Sequence, residues 1–400
     1  MVSVGFYFSI FVCIIYYLAI VMKRQYRKGL RTWIDIDLEA IRHNSSLFRG
    51  MLEDGVRLCS VVKSNAYGHC LFDFSKQMEL NGVDWLAVDT LFEGLRLRRE
   101  GVEKPILVLG YTLPDNFNEA AKNGISITVF GKESLKDVLA YKGRKKLRVH
   151  LKFDTGMNRQ GFREGEVEHL LRALKGTGAS SLKVEGMYTH FADAKDPASL
   201  DSTHKQIEIF ESIRDRVMGS GFKTIVHASA TAGAIIFPQA HYDMVRVGIG
   251  SYGLWPSPEI EEYAKERLPL RPVLSWKTVV ADVKKASAGS GFGYGFMEKV
   301  SRDTKFAVIP IGYWHGYSRS MSSIGSVLIR GKRAKVLGFV SMDITVVDVT
   351  DIRGVKVGDE VTIIGRDGRD EISVDEVADL AGTTNYEVIT RINPLIKRFY

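Results

Sequence analysis

Between Val56 and Val247 the 400-residue chain repeats one pattern: a short apolar run, a polar or glycine-rich break, an amphipathic stretch, and another apolar run. The candidate strands are Val56–Val62, Trp85–Val88, Ile106–Leu109, Ser126–Val129, Leu147–Phe153, Lys183–Tyr188, Thr224–His227 and Met244–Val247. Between most of them lie segments with apolar residues at three- and four-residue spacing, such as Glu93–Glu100, Glu133–Tyr141, Val167–Leu174 and Asp201–Met218. That spacing is helical, and short continuous apolar runs suit strands buried on both faces. Eight strand–helix units in succession predict an α/β fold, a closed (β/α)8 TIM-like barrel with functional side chains at the C-terminal ends of its strands.

After about Arg271 the texture changes to β-type runs punctuated by glycines, "KFAVIPIGY", "SVLIRG" and "DEVTIIG". The expected organisation is a barrel over residues 32–270 and a mostly β domain over 271–400. Residues 1–31 differ from both. Val2–Met22, "VSVGFYFSIFVCIIYYLAIVM", carries no charge and has about the 20 residues that span a hydrocarbon core. No Lys or Arg precedes it, while Lys23, Arg24, Arg27, Lys28 and Arg31 follow it. This reads as a single-pass transmembrane anchor with the remainder on the cytoplasmic side. A misassigned start, or a helix buried against a partner, is the alternative.

Hydrophobic residues make up 45% of the chain and charged residues 26%, a globular composition. The formal charge of +8 owes much to the basic cluster beside the apolar segment, and no aromatic–basic RNA motif accompanies it, so no nucleic-acid partner is expected. Cys13, Cys59 and Cys70 have neither metal-ligand spacing nor a disulfide framework.

The first barrel run ends abruptly at Lys63, and a buried ammonium is costly unless something takes its charge. Positions just after or within later strands carry Arg159, His190, Ser229 with Thr231, and Arg246 with Gly248. A barrel mouth gathering these groups suits an anionic ligand bearing a carbonyl. A lysine amine does one thing there that an arginine does not, forming a Schiff base, and pyridoxal phosphate is the common ligand of that kind. "RVGIG" (Arg246–Gly250), "SAT" (Ser229–Thr231) and Tyr67 offer amides and hydroxyls for its phosphate. Taken singly, each residue has a duller reading: Lys63 as a strand-end lysine reaching solvent, His190 as a satisfied core histidine, Arg159 and Arg246 as ion-pair partners.

In company the motifs are specific. "VVKSNAYGHC" (Val61–Cys70), "LKFDTGMNRQGF" (Leu151–Phe162), "EGMYTHFADA" (Glu185–Ala194), "VRVGIGSYGLWPS" (Val245–Ser257), "FGYGF", "IPIGY" and "VSMDIT" together resemble the motif series of the alanine racemase family, from about Thr32 to Tyr400. An apolar segment ahead of such a unit is similar to the membrane-bound serine racemase type, although only one such segment is present.

The resemblance implies an isomerase acting on a small amino acid, alanine by default, that makes D-alanine for cell-wall synthesis. It makes Lys63 the lysine that binds pyridoxal 5'-phosphate as a Schiff base. Tyr67, Thr231, Gly248 and Ile249 would hold the phosphate, and Arg246, with His190 beside it, would face the pyridine nitrogen. Lys63 and Tyr294 would be the two bases, one for each face of the α-carbon. A phenol is a poor base at its unperturbed pKa of about 10, so cationic and hydrogen-bonding neighbours are needed. Arg159 would hold the substrate carboxylate, steadied by Lys152 as a site of carbamylation, with Tyr313 and Met342 closing the pocket. In the family, Tyr294 and Met342 reach the site from a second subunit, so a homodimer is implied and no metal is.

Departures from the family pattern accompany the matches. Pro394, beside Asn393, is read as standing where the family often has a tyrosine near the phosphate, which would enlarge the pocket and admit serine. "YWHG" places Trp314 and His315 where the family has a small and an acidic residue, beside Arg319 at the entrance. The rival readings are a serine racemase of the membrane-bound type, a pyridoxal-phosphate-dependent decarboxylase of diamino acids, and a single-barrel cofactor-homeostasis protein. The β domain argues against the last, and "GFGYGF" against the decarboxylase.

Overall fold

The computed structural model describes residues 27–176 and 181–400. Val2–Met22, expected to cross a membrane, lies outside the described residues, among which no helix is long and apolar enough to do so. The described chain divides into two compact units.

One unit comprises Ile36–Leu274, Thr384–Pro394 and Tyr400. β1 (Thr32–Ile36) ends as this unit begins, and eight parallel strands follow among the described residues: β2 (Arg57–Val61), β3 (Trp85–Val88), β4 (Ile106–Val108), β5 (Ile125–Val129), β6 (Leu147–Lys152), β7 (Leu182–Tyr188), β8 (Ile225–His227) and β9 (Met244–Val247). The ladder runs β8-β7-β6-β5-β4-β3-β2-β9. It closes through backbone bonds from Asp243 N to Val226 O (3.0 Å) and from Arg246 N to Ser229 O (2.9 Å). Each strand falls where the apolar runs predicted it, because a parallel strand covered on both faces needs a continuous apolar run.

Helices follow the strands, and their ends are set by local chemistry. Leu91–Arg99 starts at Thr90, whose hydroxyl accepts from Glu93 N while the Glu93 carboxylate accepts from Thr90 N (3.2 Å). This reciprocal cap satisfies donors that a helix start otherwise leaves open. Glu93 also accepts from Asp89 N (3.0 Å) and Asn65 N (3.3 Å), tying the segments after β2 and β3 together. The barrel interior is partly polar, with Ser126, Thr128, His150, Glu185, His227 and Arg246 all buried.

The other unit comprises the described residues up to Asp35, with Ser275–Thr383 and Leu395–Phe399. Its main sheet orders Lys332–Lys335, Ser326–Ile329, Glu360–Asp367, Leu274–Val279, β1 and Arg398–Phe399, and the last two pair in parallel. A smaller sheet pairs Asp282–Ala286, Thr304–Ile309 and Thr345–Asp348. The alternating burial of Leu274–Val279 is the period-two pattern of a sheet with one covered face.

Candidate active site

β2 delivers Lys63 to the mouth of the barrel through an unusual backbone. Ser64, Asn65, Ala66 and Tyr67 all have positive φ (56°, 57°, 51° and 50°), a left-handed turn built from four non-glycine residues. Each such residue costs about 1–2 kcal/mol, so the turn persists only where its surroundings over-determine it. Ala66 N donates to Val62 O (2.8 Å), Leu71 N to the Asn65 side chain (3.0 Å), and Asn65 N to Glu93. The result puts Lys63 and Tyr67 on the wall of one cavity of about 630 Å³, with Asp89, Lys152, Arg159, His190, Thr231, Arg246, Gly248 and Ile249.

At one end of the cavity the groups suit a phosphate. Thr231 Oγ1 accepts from Gly248 N (3.1 Å) and Gly250 N (3.4 Å), which leaves its own proton to donate. Tyr67 stacks on Tyr252 with ring centroids 4.7 Å apart, and burial pushes its phenol up to about 12, so it stays a neutral donor. A Cβ at position 248 would come within 2.8 Å of the Tyr67 hydroxyl, so only glycine allows this approach. A second phenol, Tyr386, also lines the cavity, 6.2 Å from Tyr67 between ring centroids. Pro394, by contrast, is exposed and does not line the cavity. The reading that a C-terminal tyrosine is lost here is therefore corrected. The cavity wall carries a tyrosine at Tyr386 instead, on the helix Asn385–Arg391, whose start is held by Asn385 Nδ2 donating to Trp255 O (2.9 Å).

Deeper in, Arg246 is buried and held rigidly. Its Nη2 donates to Thr189 O (2.9 Å) and Ala228 O (2.7 Å) and reaches His190 Nδ1 (3.3 Å), while Nη1 meets His227 Nδ1 (2.7 Å). Burial lowers Arg246 to about 10, which still leaves it a cation at neutral pH. Burial, reinforced by the Arg246 charge, pushes His190 well below its ordinary value, so the ring is neutral. The Tyr188 ring lies under Arg246 (5.1 Å) and near Lys152 (5.6 Å), a π-face serving two cations.

Lys152 and Arg159 form the third corner. The loop between them is pinned by Phe162 N to Lys152 O (2.9 Å) and Asp154 N to Phe162 O (3.0 Å). Lys152 Nζ donates to Gln160 Oε1 (2.9 Å), and burial, then the nearby Arg159 charge, lowers its amine to about 8. Cations far outnumber anions on the wall, where Asp89 is the carboxylate, so the cavity is suited to an anionic occupant.

Tyr294, Tyr313 and Met342 belong to the β unit and are exposed on it. His315 is buried there, accepting from Gly312 N (3.2 Å) at 4.0 Å from Asp343, so its ring stabilises its own turn. Trp314 is exposed, and the Arg319 guanidinium lies 4.3 Å over the Phe339 ring.

Residues 36–256 match the family model "Alanine racemase, N-terminal domain", and residues 273–400 match "Alanine racemase, C-terminal domain". The chain belongs to the alanine racemase family. Among its relatives is the alanine racemase of Symbiobacterium thermophilum, 40% identical over 93% of this chain and 98% of the relative. Among solved structures, alanine racemase from Bacillus anthracis with bound L-Ala-P has a TM-score of 0.85 at 37% identity, covering 90% of this chain and 92% of that one. Alanine racemase from Streptomyces coelicolor A3(2) has a TM-score of 0.86 at 32% identity, covering 93% and 98%. Alanine racemases depend on pyridoxal 5'-phosphate, and the cavity fits it: an amine for its aldehyde, two phenols and a threonine for its phosphate, and a guanidinium at depth.

Proposed function

We propose that the protein interconverts L- and D-alanine by a two-base reaction, with pyridoxal 5'-phosphate held on Lys63. The observation that carries this reading is the placement of Lys63 in one cavity with the phosphate-type donors Tyr67, Tyr386 and Thr231 and the buried cation Arg246. When bound, the cofactor acidifies the α-proton of an amino acid by drawing its electrons into the pyridine ring. Arg246 would help to hold the cofactor, and its positive charge would disfavour protonation of a nearby pyridine nitrogen, favouring prompt return of the proton over side reactions. Arg159 binds the substrate carboxylate. Lys63 moves the proton on one face of the α-carbon, and Tyr294 of the partner subunit moves it on the other. Lys152, with its amine lowered toward neutrality, is suited to carbamylation, which would give Arg159 an anionic brace.

The exposure of Tyr294, Phe296, Met297, Trp314 and Met342 on the β unit is consistent with a homodimer, in which Tyr294 and Met342 would be covered by the partner subunit. Val2–Met22 and its basic flank support a tether to the cytoplasmic face of a membrane, to be checked by fractionating full-length protein against a variant lacking residues 1–26. The D-alanine formed would supply cell-wall synthesis.

The test is chiral chromatography of products from purified holoprotein given L-alanine, L-serine and a diamino acid in turn, with carbon dioxide measured in parallel. D-Alanine should dominate. A decarboxylase would release carbon dioxide from the diamino acid, a serine racemase would favour D-serine, and failure to invert any substrate would overturn the reading.

A further inference from the structure

Arg246 is a buried cation with no carboxylate in ion-pair reach among the described residues, an arrangement that costs free energy unless charge is compensated along some path. One such path exists. His227 Nδ1 lies 2.7 Å from Arg246 Nη1, the other His227 nitrogen lies 2.9 Å from His150 Nδ1, and His150 Nε2 stands 3.9 Å from Glu185 Oε2. A guanidinium only donates, so His227 Nδ1 must accept. Its proton is then on Nε2 and is donated to His150 Nδ1, which leaves the His150 proton on Nε2, facing the carboxylate. At 3.9 Å the carboxylate is beyond hydrogen-bond reach, and His150 Nε2 has no hydrogen-bond partner among the described residues, but the carboxylate's charge favours a proton on the nitrogen that faces it, the same arrangement that Arg246 demands from the other end.

The backbone is shaped around this path. The β6–β7 register runs Val149 with Val184 and then His150 with Gly186, so Glu185 is the extra residue of a β-bulge, a device that re-aims a side chain. At Gly186 a Cβ would overlap the His150 ring, so that position admits only glycine while the imidazole lies across β7. Glu185 also accepts from Ser126 Oγ (2.5 Å) and Lys183 Nζ (2.9 Å) and sits 3.6 Å from Arg148. Burial alone would raise this carboxyl, but the nearby His150 ring and the hydrogen bonds from Ser126 and Lys183 outweigh it and hold it at about 2, fully ionised at neutral pH. Burial lowers both His150 and His227, so each ring is neutral and has one proton to place.

We propose that Glu185 is a positioning residue for Arg246, fixing the protons of His150 and His227 so that the guanidinium always meets an acceptor. The consequence for turnover rests on the role proposed above for Arg246; the proton positions do not. Holoenzyme labelled with [15N]histidine, assigned by single-histidine substitutions, reports which ring nitrogens are protonated in long-range proton–nitrogen spectra. The expected result is bare Nδ1 and protonated Nε2 on both rings. Glu185→Gln, whose amide can also donate, should mix the two arrangements at His150, shift the cofactor's visible band and lower kcat roughly tenfold with KM nearly unchanged, the scale seen for outer partners of catalytic groups. Glu185→Asp should recover part of each effect. A proton on Nδ1 of either ring in the unmodified enzyme, or on both nitrogens, overturns the proposal, and this measurement needs no variant to fold. Wild-type spectra and kcat in a folded Glu185→Gln variant overturn it equally.

Discussion

Lys63 Nζ lies 3.8 Å from the carboxylate of Asp89, the residue that follows β3, and both side chains line the cavity while remaining partly open to water. Ion pairs of such exposure contribute about 0–1 kcal/mol, so Asp89→Asn should leave thermal stability nearly unchanged. Lys63→Ala should do something different in kind. The covalent cofactor chromophore and racemisation should disappear together while the fold survives, and absorbance spectra with melting curves of both variants check the pair. A Lys63→Ala protein with normal turnover would remove the lysine from the mechanism.

Tyr294→Phe deletes one exposed oxygen, so folding and cofactor binding should persist while turnover falls roughly 10²-fold or more, the lower range of acid–base contributions. Mixing this variant with Lys63→Ala should restore part of the activity, because half of the sites in a mixed dimer would then hold both bases. Verified heterodimers without any recovery would place both bases in one chain.

Gly248→Ala sets a methyl 2.8 Å from the hydroxyl of Tyr67, a ring fixed by its stack on Tyr252. Cofactor affinity should fall about tenfold, equivalent to roughly 1.4 kcal/mol. Titrating apoprotein with pyridoxal phosphate measures this, and unchanged circular dichroism would separate it from unfolding.

With Tyr386 on the cavity wall and Pro394 away from it, the site should be sensitive to substitution at the first position and not at the second. Tyr386→Phe should weaken cofactor binding about tenfold or more, the value of one hydrogen bond to a charged group being about 1.5 kcal/mol or more. Pro394→Tyr should leave the alanine-to-serine ratio of kcat/KM unaltered. A clear shift in that ratio would show that the tail after the last helix reaches the substrate.

Lys152 gives a stability prediction with a definite sign. Its pKa in the folded protein, about 8, lies below the ordinary lysine value of 10.5, so between those limits the unfolded chain binds the extra proton and stability rises with pH. Below pH 8 the charged amine lowers stability by as much as roughly 3 kcal/mol, because each tenfold weakening of proton binding is equivalent to about 1.36 kcal/mol. Lys152→Met should therefore be the more stable protein at pH 7, with the difference shrinking toward pH 10.5. Denaturation of both proteins in bicarbonate-free buffer measures it, and parallel pH curves would refute it.

All eight barrel strands were readable because burial on two faces writes itself as apolar runs. β1 was not: "TWIDI" is five residues long and pairs with Arg398–Phe399 at the far end of the chain, a partner no local pattern announces. Tyr386 was overlooked because a seven-residue helix turns it inward through Asn385 and Trp255, and sequence position alone pointed eight residues further on. The Glu185–His150–His227 path had a faint trace. His150 alternates with apolar Val149 and Leu151 in a strand where both faces should be apolar, yet a single polar residue in a run does not name its partners.

The left-handed turn after Lys63 bears on how the protein matures. Ser64 to Tyr67 would rarely adopt that shape in an unfolded chain, and the contacts enforcing it come from Val62, Leu71 and Glu93 once the strands around them have assembled. Lys63 therefore becomes distinguishable from the chain's other lysines only after β2, β3 and the helices that follow them have packed together. If Lys63 holds the cofactor as proposed, capture of the aldehyde reports that this part of the fold has formed, and chains in which it has not should emerge from synthesis colourless rather than mislabelled.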